Sequence, residues 1–270
     1  MKPRVIAIIQ GRMSSSRLPG KILLDIAGQP MLSRVFTRAS RSAAVAETIF
    51  ATTTDASDDP VAEYCEFSGI PFTRGSLYDV LDRYYQAARH AEADVVVRIT
   101  ADCPVIDPVL VDEVVNFLLE NEFDFACNRL PPPWHRTYPI GLDTEVCTFT
   151  ALEKAWKEAQ EAQHREHAMP YMYEGVKLST ENRKLETGTS PRGFKVALLH
   201  HTTDFGEYRW TVDTAEDLEF VRQIYSHFNG RDDFSWKEVL ELVHHKPGLM
   251  EINASVTHKT LKDIDNRASN

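Results

Sequence analysis

No Cys-x-x-Cys pair occurs in this 270-residue chain. Its four cysteines, Cys65, Cys103, Cys127 and Cys147, are far apart in apolar or strand-like surroundings, which excludes a zinc knuckle and fits buried, reduced thiols in a cytoplasmic protein. No stretch approaches the roughly 20 apolar residues of a membrane span. The short apolar run after Met1-Lys2-Pro3-Arg4 does not read as a signal peptide. There is no long basic run, and a net charge of −10 argues against a nucleic-acid backbone as partner. Neither a G-x-x-x-x-G-K-[ST] loop nor a G-x-G-x-x-G fingerprint is present. H-E-x-x-H is missing too, and the adjacent pairs His200-His201 and His244-His245 point apart on any regular element, so zinc is not expected. Internal repeats and low-complexity segments are absent. What remains is an apolar fraction of 43%, ample for a large core.

Strand-like runs at Val5–Ile9, Thr48–Thr52, Val95–Ile99 and Asp124–Ala126 alternate with helical patterns at Met31–Ser40, Pro60–Ser68, Leu77–Ala91 and Pro108–Asn121. Asp107 before Pro108 is a good cap followed by a good first position. This alternation predicts an α/β fold, a mostly parallel Rossmann-like sheet flanked by helices. Ligands in such sheets lie beyond the carboxyl ends of the strands. The alternation breaks at Leu130-Pro131-Pro132-Pro133-Trp134, which reads as an extended loop over the sheet edge. Beyond it, strands are expected at Leu142–Phe149, Lys177–Asn182, Lys195–Leu199 and Tyr208–Val212. Helices are expected at Ala151–Ala162, His164–Glu174, Ala215–Phe228 and Trp236–His245. The organisation expected is one domain over residues 1–250, with a smaller inserted lobe at about 128–205 and a polar tail over 251–270.

The unusual polar residues follow the strands. Val5–Ile9 empties into Gln10-Gly11-Arg12-Met13-Ser14-Ser15-Ser16-Arg17-Leu18-Pro19-Gly20-Lys21. Glycines let backbone approach a ligand, successive N–H groups can form an anion nest, and Ser14 and Ser15 add donors. Arg12, Arg17 and Lys21 bring positive charge, so the loop suits a nucleotide triphosphate. Asp102 follows Val95–Ile99 and has the hard oxygen that Mg²⁺ prefers; its plain alternative is a turn residue. Asp213 is delivered to the start of a helix, where a capping role for Asp213 or Thr214 is the competing account. Asp79 and Arg83 stand one turn apart, the spacing of an ordinary i,i+4 pair.

The order Arg12-Met13-Ser14-Ser15-Ser16-Arg17-Leu18-Pro19-Gly20-Lys21, continued by Leu23-Leu24-Asp25-Ile26-Ala27-Gly28-Gln29-Pro30-Met31-Leu32, resembles the opening of the nucleotide-sugar pyrophosphorylases, and within them the cytidylyltransferases. The spore-coat-polysaccharide branch is the nearest in pattern, with the sialic acid and 3-deoxy-manno-octulosonate activating enzymes as relatives. The resemblance runs to about Tyr225 and implies a nucleotide-diphospho-sugar transferase (GT-A-like) fold. It also implies CTP and a sugar acid as substrates, Mg²⁺ as cofactor and, through the inserted lobe, a homodimer. In its terms Arg12 and Lys21 are the catalytic cations, and Asp102 and Asp213 (in Asp213-Thr214-Ala215-Glu216-Asp217-Leu218, with alanine where proline is usual) hold the metal. Gln10, Gly11, Arg12, Ser14, Ser15, Lys21, Thr52, Thr53, Asp55, Arg74, Ser76 and Asp102 bind the nucleotide. Thr52 to Asp55 lie beside the pyrimidine, and Arg74 touches base or ribose unless it is merely a solvated surface arginine. The acceptor falls to Asn128 and Arg129, to Tyr138, Asp143 and Glu145 of a "y-P-x-G-x-D-x-E" match, and to Arg165, Glu166 and His167 of an "e-R-E-H" match. Arg129, Arg165 and His167 are the candidates for a carboxylate. A rival nucleotidylyltransferase, using another NTP or a sugar-phosphate acceptor, stays open. A GT-A glycosyltransferase stays open too, although Asp102-Cys103-Pro104 lacks its D-x-D.

Overall fold

The computed structural model describes residues 2–257, so residues 258–270 of the expected polar tail lie outside the described residues. Val5–Gln10 forms strand β1. Val5, Ala7 and Ile9 enter one core layer while Ile6 and Ile8 enter the other, which is why the run is apolar without a break. Each such side chain removed from water contributes about 1.5–3 kcal/mol. A small hairpin, β2 (Asp25–Ile26) with β3 (Gln29–Pro30), follows the first loop. Strands β4 (Glu47–Thr53) and β6 (Val95–Thr100) flank β1 in parallel, and β5 (Phe72–Gly75) extends the sheet beyond β4. Past β6 come β8 (Glu145–Thr148), β7 (Phe125–Cys127), β11 (Lys195–Leu199), β10 (Leu185–Thr189) and β9 (Ser179–Asn182). Among the described residues they complete a nine-stranded sheet in the order β5-β4-β1-β6-β8-β7-β11-β10-β9. β8, β9 and β10 make the antiparallel pairings.

Helices cover both faces. α1 (Met31–Ala39), α2 (Asp59–Ser68), α4 (Pro108–Asn121), α8 (Ala215–His227), α9 (Trp236–His245) and the short α10 (Gly248–Glu251) pack on one. α3 (Val80–His90), α5 (Phe149–Glu158), α6 (Ala162–His167) and α7 (Pro170–Tyr173) pack on the other. Asp107 caps α4 through the amides of Val109 and Leu110, and its second oxygen accepts from Trp236 N at 2.7 Å, tying α4 to the start of α9. All four cysteines are buried and free of disulfides.

Three expectations change. Tyr208–Val212 forms no ladder; among the described residues its sheet-like contact is an isolated bridge between Arg209 and Ile140, because side chains and a C-terminal segment take other backbone groups. The proline run does not lie over a sheet edge. It connects β7 to β8 in mid-sheet, at the end where β6 also finishes. The helix expected over His164–Glu174 is two short ones, broken at Ala168 with φ of +66° just before Pro170. Residues 128–205, expected as an inserted lobe, contribute β8 to β11 to the nine-stranded sheet.

Candidate active site

The first loop is tight from its first residue. A Cβ on Gly11 would come within 2.6 Å of Ala101 Cβ and 2.9 Å of Phe50 Cζ, so only glycine lets β1 end against both neighbours. Met13 N donates to Asp58 at 2.7 Å, and Met13 O accepts from Ser15 N and Gly20 N. Gly20, at φ of +72°, turns the chain into the 3₁₀ turn Lys21–Leu23. We expect Gly11→Ala to cost about 1–3 kcal/mol through overpacking. The thermal midpoint should then fall by about 2–4 °C per kcal/mol; an unchanged midpoint would contradict the close approach.

That turn points the buried Lys21 back under the loop. Its Nζ lies 2.8 Å from Asp102 Oδ2, 3.0 Å from Asp213 Oδ1 and 2.7 Å from Val212 O. Burial alone would lower its pKa, but Asp102 and Asp213 outweigh burial and hold it above the ordinary lysine value. Asp213 also receives Arg17 at 2.6 Å and Arg209 at 2.9 Å. Burial pushes its carboxyl up, but Lys21 first, then Arg17 and Arg209, bring it well below the ordinary aspartate value. A carboxylate so held takes no proton near neutrality: Asp213 supplies charge, not basicity. The two acids are locked in register, since Asp102 O accepts from Val212 N at 2.8 Å and from the Thr211 hydroxyl at 3.0 Å. The expected alternative for Asp213 is thereby answered. Thr214 caps α8 in a capping box with Asp217, which frees the Asp213 side chain for Lys21.

Beside the acids lies a cavity of 160 Å³ lined by Arg98, Arg129, Asp143, Glu145, Gly141 and Thr211 as well as Asp102 and Asp213. Gly141 fits because a Cβ there would sit 2.6 Å from Thr211 N. Arg98 pairs with buried Glu145, and Asp143 pairs with Arg136 at 2.5 Å and with Arg129 at 4.0 Å. His167 faces the same charges. Burial holds it below the ordinary histidine value, and its Nε2, like Arg98 Nε, is buried without a hydrogen-bond partner. The cavity wall thus combines four carboxylates with the guanidinium groups of Arg98 and Arg129. The thiol of Cys103 in the cavity wall is pushed well above its ordinary value by burial, then by Asp102, so it is no nucleophile at neutral pH.

Other sequence-expected residues are placed differently. Gln10 closes β1, its carbonyl accepting from Ala101 N. Arg12, Ser14 and Ser15 are half-buried in the loop, and Arg12 is near enough to Arg83 for their charges to repel. Thr52 and Thr53 are fully buried with both hydroxyls on Asp58, so they present no free hydroxyl to a base. Arg74 joins them, donating to Thr53 O at 2.7 Å and to Asp55 O at 3.1 Å. It also pairs with Asp59 at 2.6 Å. Asp55 caps the turn that follows, and the exposed Ser76 accepts from the amides of Tyr78 and Asp79. Asn128 is a brace, bonding Leu142 O and Thr144 N across the β7–β8 connection. Tyr138 is outside the cavity, stacked edge-on against His201 and Trp236. Arg165 is engaged by Asp79 at 2.5 Å and by Trp156 O, and Arg83 goes to the Ser76 and Leu77 carbonyls, so Asp79 and Arg83 are not the expected pair. Glu166 lies half-buried next to His167.

Sequence reasoning did not single out Asp58, Arg98, Arg136 or Arg209. For Arg98 the signal was present: a lone arginine inside the apolar run Val95–Ile99 needs a buried partner. Asp58 was masked by its acidic neighbours Asp55 and Asp59.

A family model described as cytidylyltransferase matches residues 6–225. An uncharacterized protein of Methanocaldococcus jannaschii is 33% identical over 97% of this chain and 99% of its own length. The spore coat polysaccharide biosynthesis protein SpsF of Bacillus subtilis is 27% identical over 90% of this chain and 95% of its own. A 3-deoxy-manno-octulosonate cytidylyltransferase of Geobacter sulfurreducens is 36% identical over 119 residues, 43% of this chain and 46% of that enzyme. Among solved structures, that of a cytidylyltransferase from Leptospira borgpetersenii serovar Hardjo-bovis superposes with a TM-score of 0.80 at 30% identity, covering 96% of this chain and all of that one.

Proposed function

The chain belongs to the cytidylyltransferase family, and from that premise we propose that it moves CMP from CTP to a sugar acid for polysaccharide biosynthesis. The observation that carries this reading is the meeting of Asp102, Asp213 and Lys21 at the carboxyl ends of the central strands, next to a cavity lined by Arg98 and Arg129. A hydroxyl oxygen of the acceptor attacks the α-phosphorus. The bond from that phosphorus to its bridging oxygen breaks, pyrophosphate leaves, and the hydroxyl proton goes to solvent or base. Charge accumulates on phosphate oxygens, so preorganised cations are the main source of acceleration. Arg12, Arg17 and Lys21 fill that role from the loop, with the pyrimidine beside Asp55 and Arg74.

The donor set fits Mg²⁺. Two carboxylates approach one point from separate segments, and among the described residues no third acidic, histidine or cysteine ligand gathers with them, so phosphate and water would complete the shell. When bound there, the ion supplies positive charge to the phosphate oxygens. Lys21 Nζ now lies between the carboxylates, so it must shift for an ion to be shared by both, and the shift frees its ammonium for the triphosphate.

For the acceptor carboxylate, Arg129 and His167 are kept from the set expected from sequence and Arg98 takes the place of Arg165, which is engaged by Asp79, while Tyr138 stacks on Trp236. We expect Arg129→Ala to raise the acceptor KM by about 10- to 100-fold, the loss of one charged hydrogen bond at about 1.5–3 kcal/mol, while CTP affinity measured by calorimetry stays unchanged. An unaltered acceptor KM would remove Arg129 from the acceptor site.

The homodimer is likewise a proposal. It is supported by β9, exposed along its length at the sheet edge, an arrangement that isolated chains usually blunt. Sedimentation at micromolar concentration should show little monomer for an interface of about 1,600 Å²; a 30.7 kDa species would contradict it.

A further inference from the structure

Beyond the family-matched residues 6–225, the chain returns to the site. The segment after α10 brings Asn253, 3% exposed, against the residues that carry Asp213. Its amide donates to Arg209 O and to Asp217 Oδ1, both at 3.0 Å. The first bond reaches the stretch where a strand was expected: Arg209, bridged to Ile140, has its carbonyl accepting from the buried Asn253 amide. The second bond feeds a chain of charged contacts. Asp217, fully buried, holds the Arg209 guanidinium through both oxygens at 2.9 Å and accepts from Asp213 N at 2.9 Å. Arg209 then reaches Asp213 Oδ2, the oxygen that also takes Arg17. Four residues past Asn253, Thr257 O accepts from Arg17 Nη1 at 3.1 Å. The segment therefore holds Arg17 directly and reaches Asp213 through Asp217 and Arg209.

We propose that Asn253 is a positioning residue, and that residues 253–257 form a strap fixing Asp213 and Arg17 in the geometry that receives the phosphates. The strap touches no reacting atom. It acts by denying two alternatives: rotation of the Asp213 carboxylate away from Lys21, and escape of the first loop from the acids. The proposal rests on the cytidylyltransferase reading for its consequence in turnover, but its structural half stands without that reading.

Asn253→Ala removes the amide and leaves the rest of the strap. In hydrogen exchange read by mass spectrometry, without any ligand, it should raise exchange at least about threefold in peptides covering residues 209–217 and 12–21, with β1 and β6 unchanged. In the same preparation Mn²⁺ affinity read by electron paramagnetic resonance should fall at least about threefold. Turnover of CTP should fall more than its KM rises. Asn253→Ser, which keeps a donor, should recover part of each and serves as the second variant if alanine is poorly folded. Unchanged exchange in both peptides overturns the strap whatever the metal does. A lower thermal midpoint with wild-type Mn²⁺ affinity and turnover reduces Asn253 to a stabilising residue and overturns the positioning role. A wild-type protein that binds no Mn²⁺ contradicts the metal reading alone, and exchange still decides the strap.

Discussion

Lys21→Ala is expected to lower turnover with CTP by at least about tenfold, the effect of removing one strong charge contact to a phosphoryl transition state. Lys21 touches both Asp102 and Asp213, and its ammonium is held charged well past neutrality by them. Alanine leaves two carboxylates facing each other across an empty space, so the thermal midpoint should fall as well. Rates are therefore compared per folded molecule. Arg12→Ala is the companion. It removes a second loop cation and leaves Lys21 between the acids, so it should cost at least about tenfold in turnover with a smaller loss of stability. Pyrophosphate release at saturating CTP gives both numbers. If both variants turn over at the wild-type rate, the loop does not hold the triphosphate.

Asp102→Asn and Asp213→Asn should each cost about a hundredfold or more, on the scale of losing a group aimed at developing charge. Each keeps the shape of its side chain and removes its charge. The comparison is clean at pH 7–8. Asp213 has its pKa lowered from 3.8 on folding, so its contribution to stability is complete above about that pH and is lost only as the pH falls through the lower folded value. The two variants should differ in one respect. Asp213→Asn would leave Arg17 and Arg209 without the carboxylate they share, whereas Asp102→Asn chiefly disturbs Lys21. Greater destabilisation is expected for Asp213→Asn. Mn²⁺ affinity by electron paramagnetic resonance and the Mg²⁺ dependence of pyrophosphate release are the measurements. Retention of both by both variants would show that the carboxylates hold no metal.

The part of the fold that was legible is the part whose apolar pattern has no competitor. β1, β6 and α4 are strongly apolar, with β1 ended by a glycine and α4 started by a cap and a proline, and β11 and α9 begin and end where the pattern places them. β5 was passed over because four residues at an edge, none of them fully buried, carry almost no periodic signal. Tyr208–Val212 looked like a strand because most of its residues are buried, yet burial there comes from helices and the strap, not from a ladder. In the site, motif order picked out Lys21, Asp102 and Asp213, which the fold brings into contact. It did not reveal that Thr52 and Thr53 spend their hydroxyls on Asp58, or that Arg165 belongs to Asp79 across 86 residues. The first is a local choice among three acids, Asp55, Asp58 and Asp59, and the second a long-range one among many, and a single sequence holds nothing that ranks such chemically equal candidates. Asn253 was invisible for the same reason: one polar residue in a polar tail.

The central claim is CMP transfer to a sugar acid, and one experiment tests it directly. The protein is incubated with Mg²⁺, each of the four NTPs in turn, and a panel of octulosonic and nonulosonic acids with sugar phosphates as controls. Products are then identified by mass spectrometry. The result expected is a CMP–sugar-acid ester formed from CTP, in step with pyrophosphate, and absent from the other three NTPs. A nucleotide–sugar product formed only with a sugar phosphate, or only from another NTP, would contradict the account.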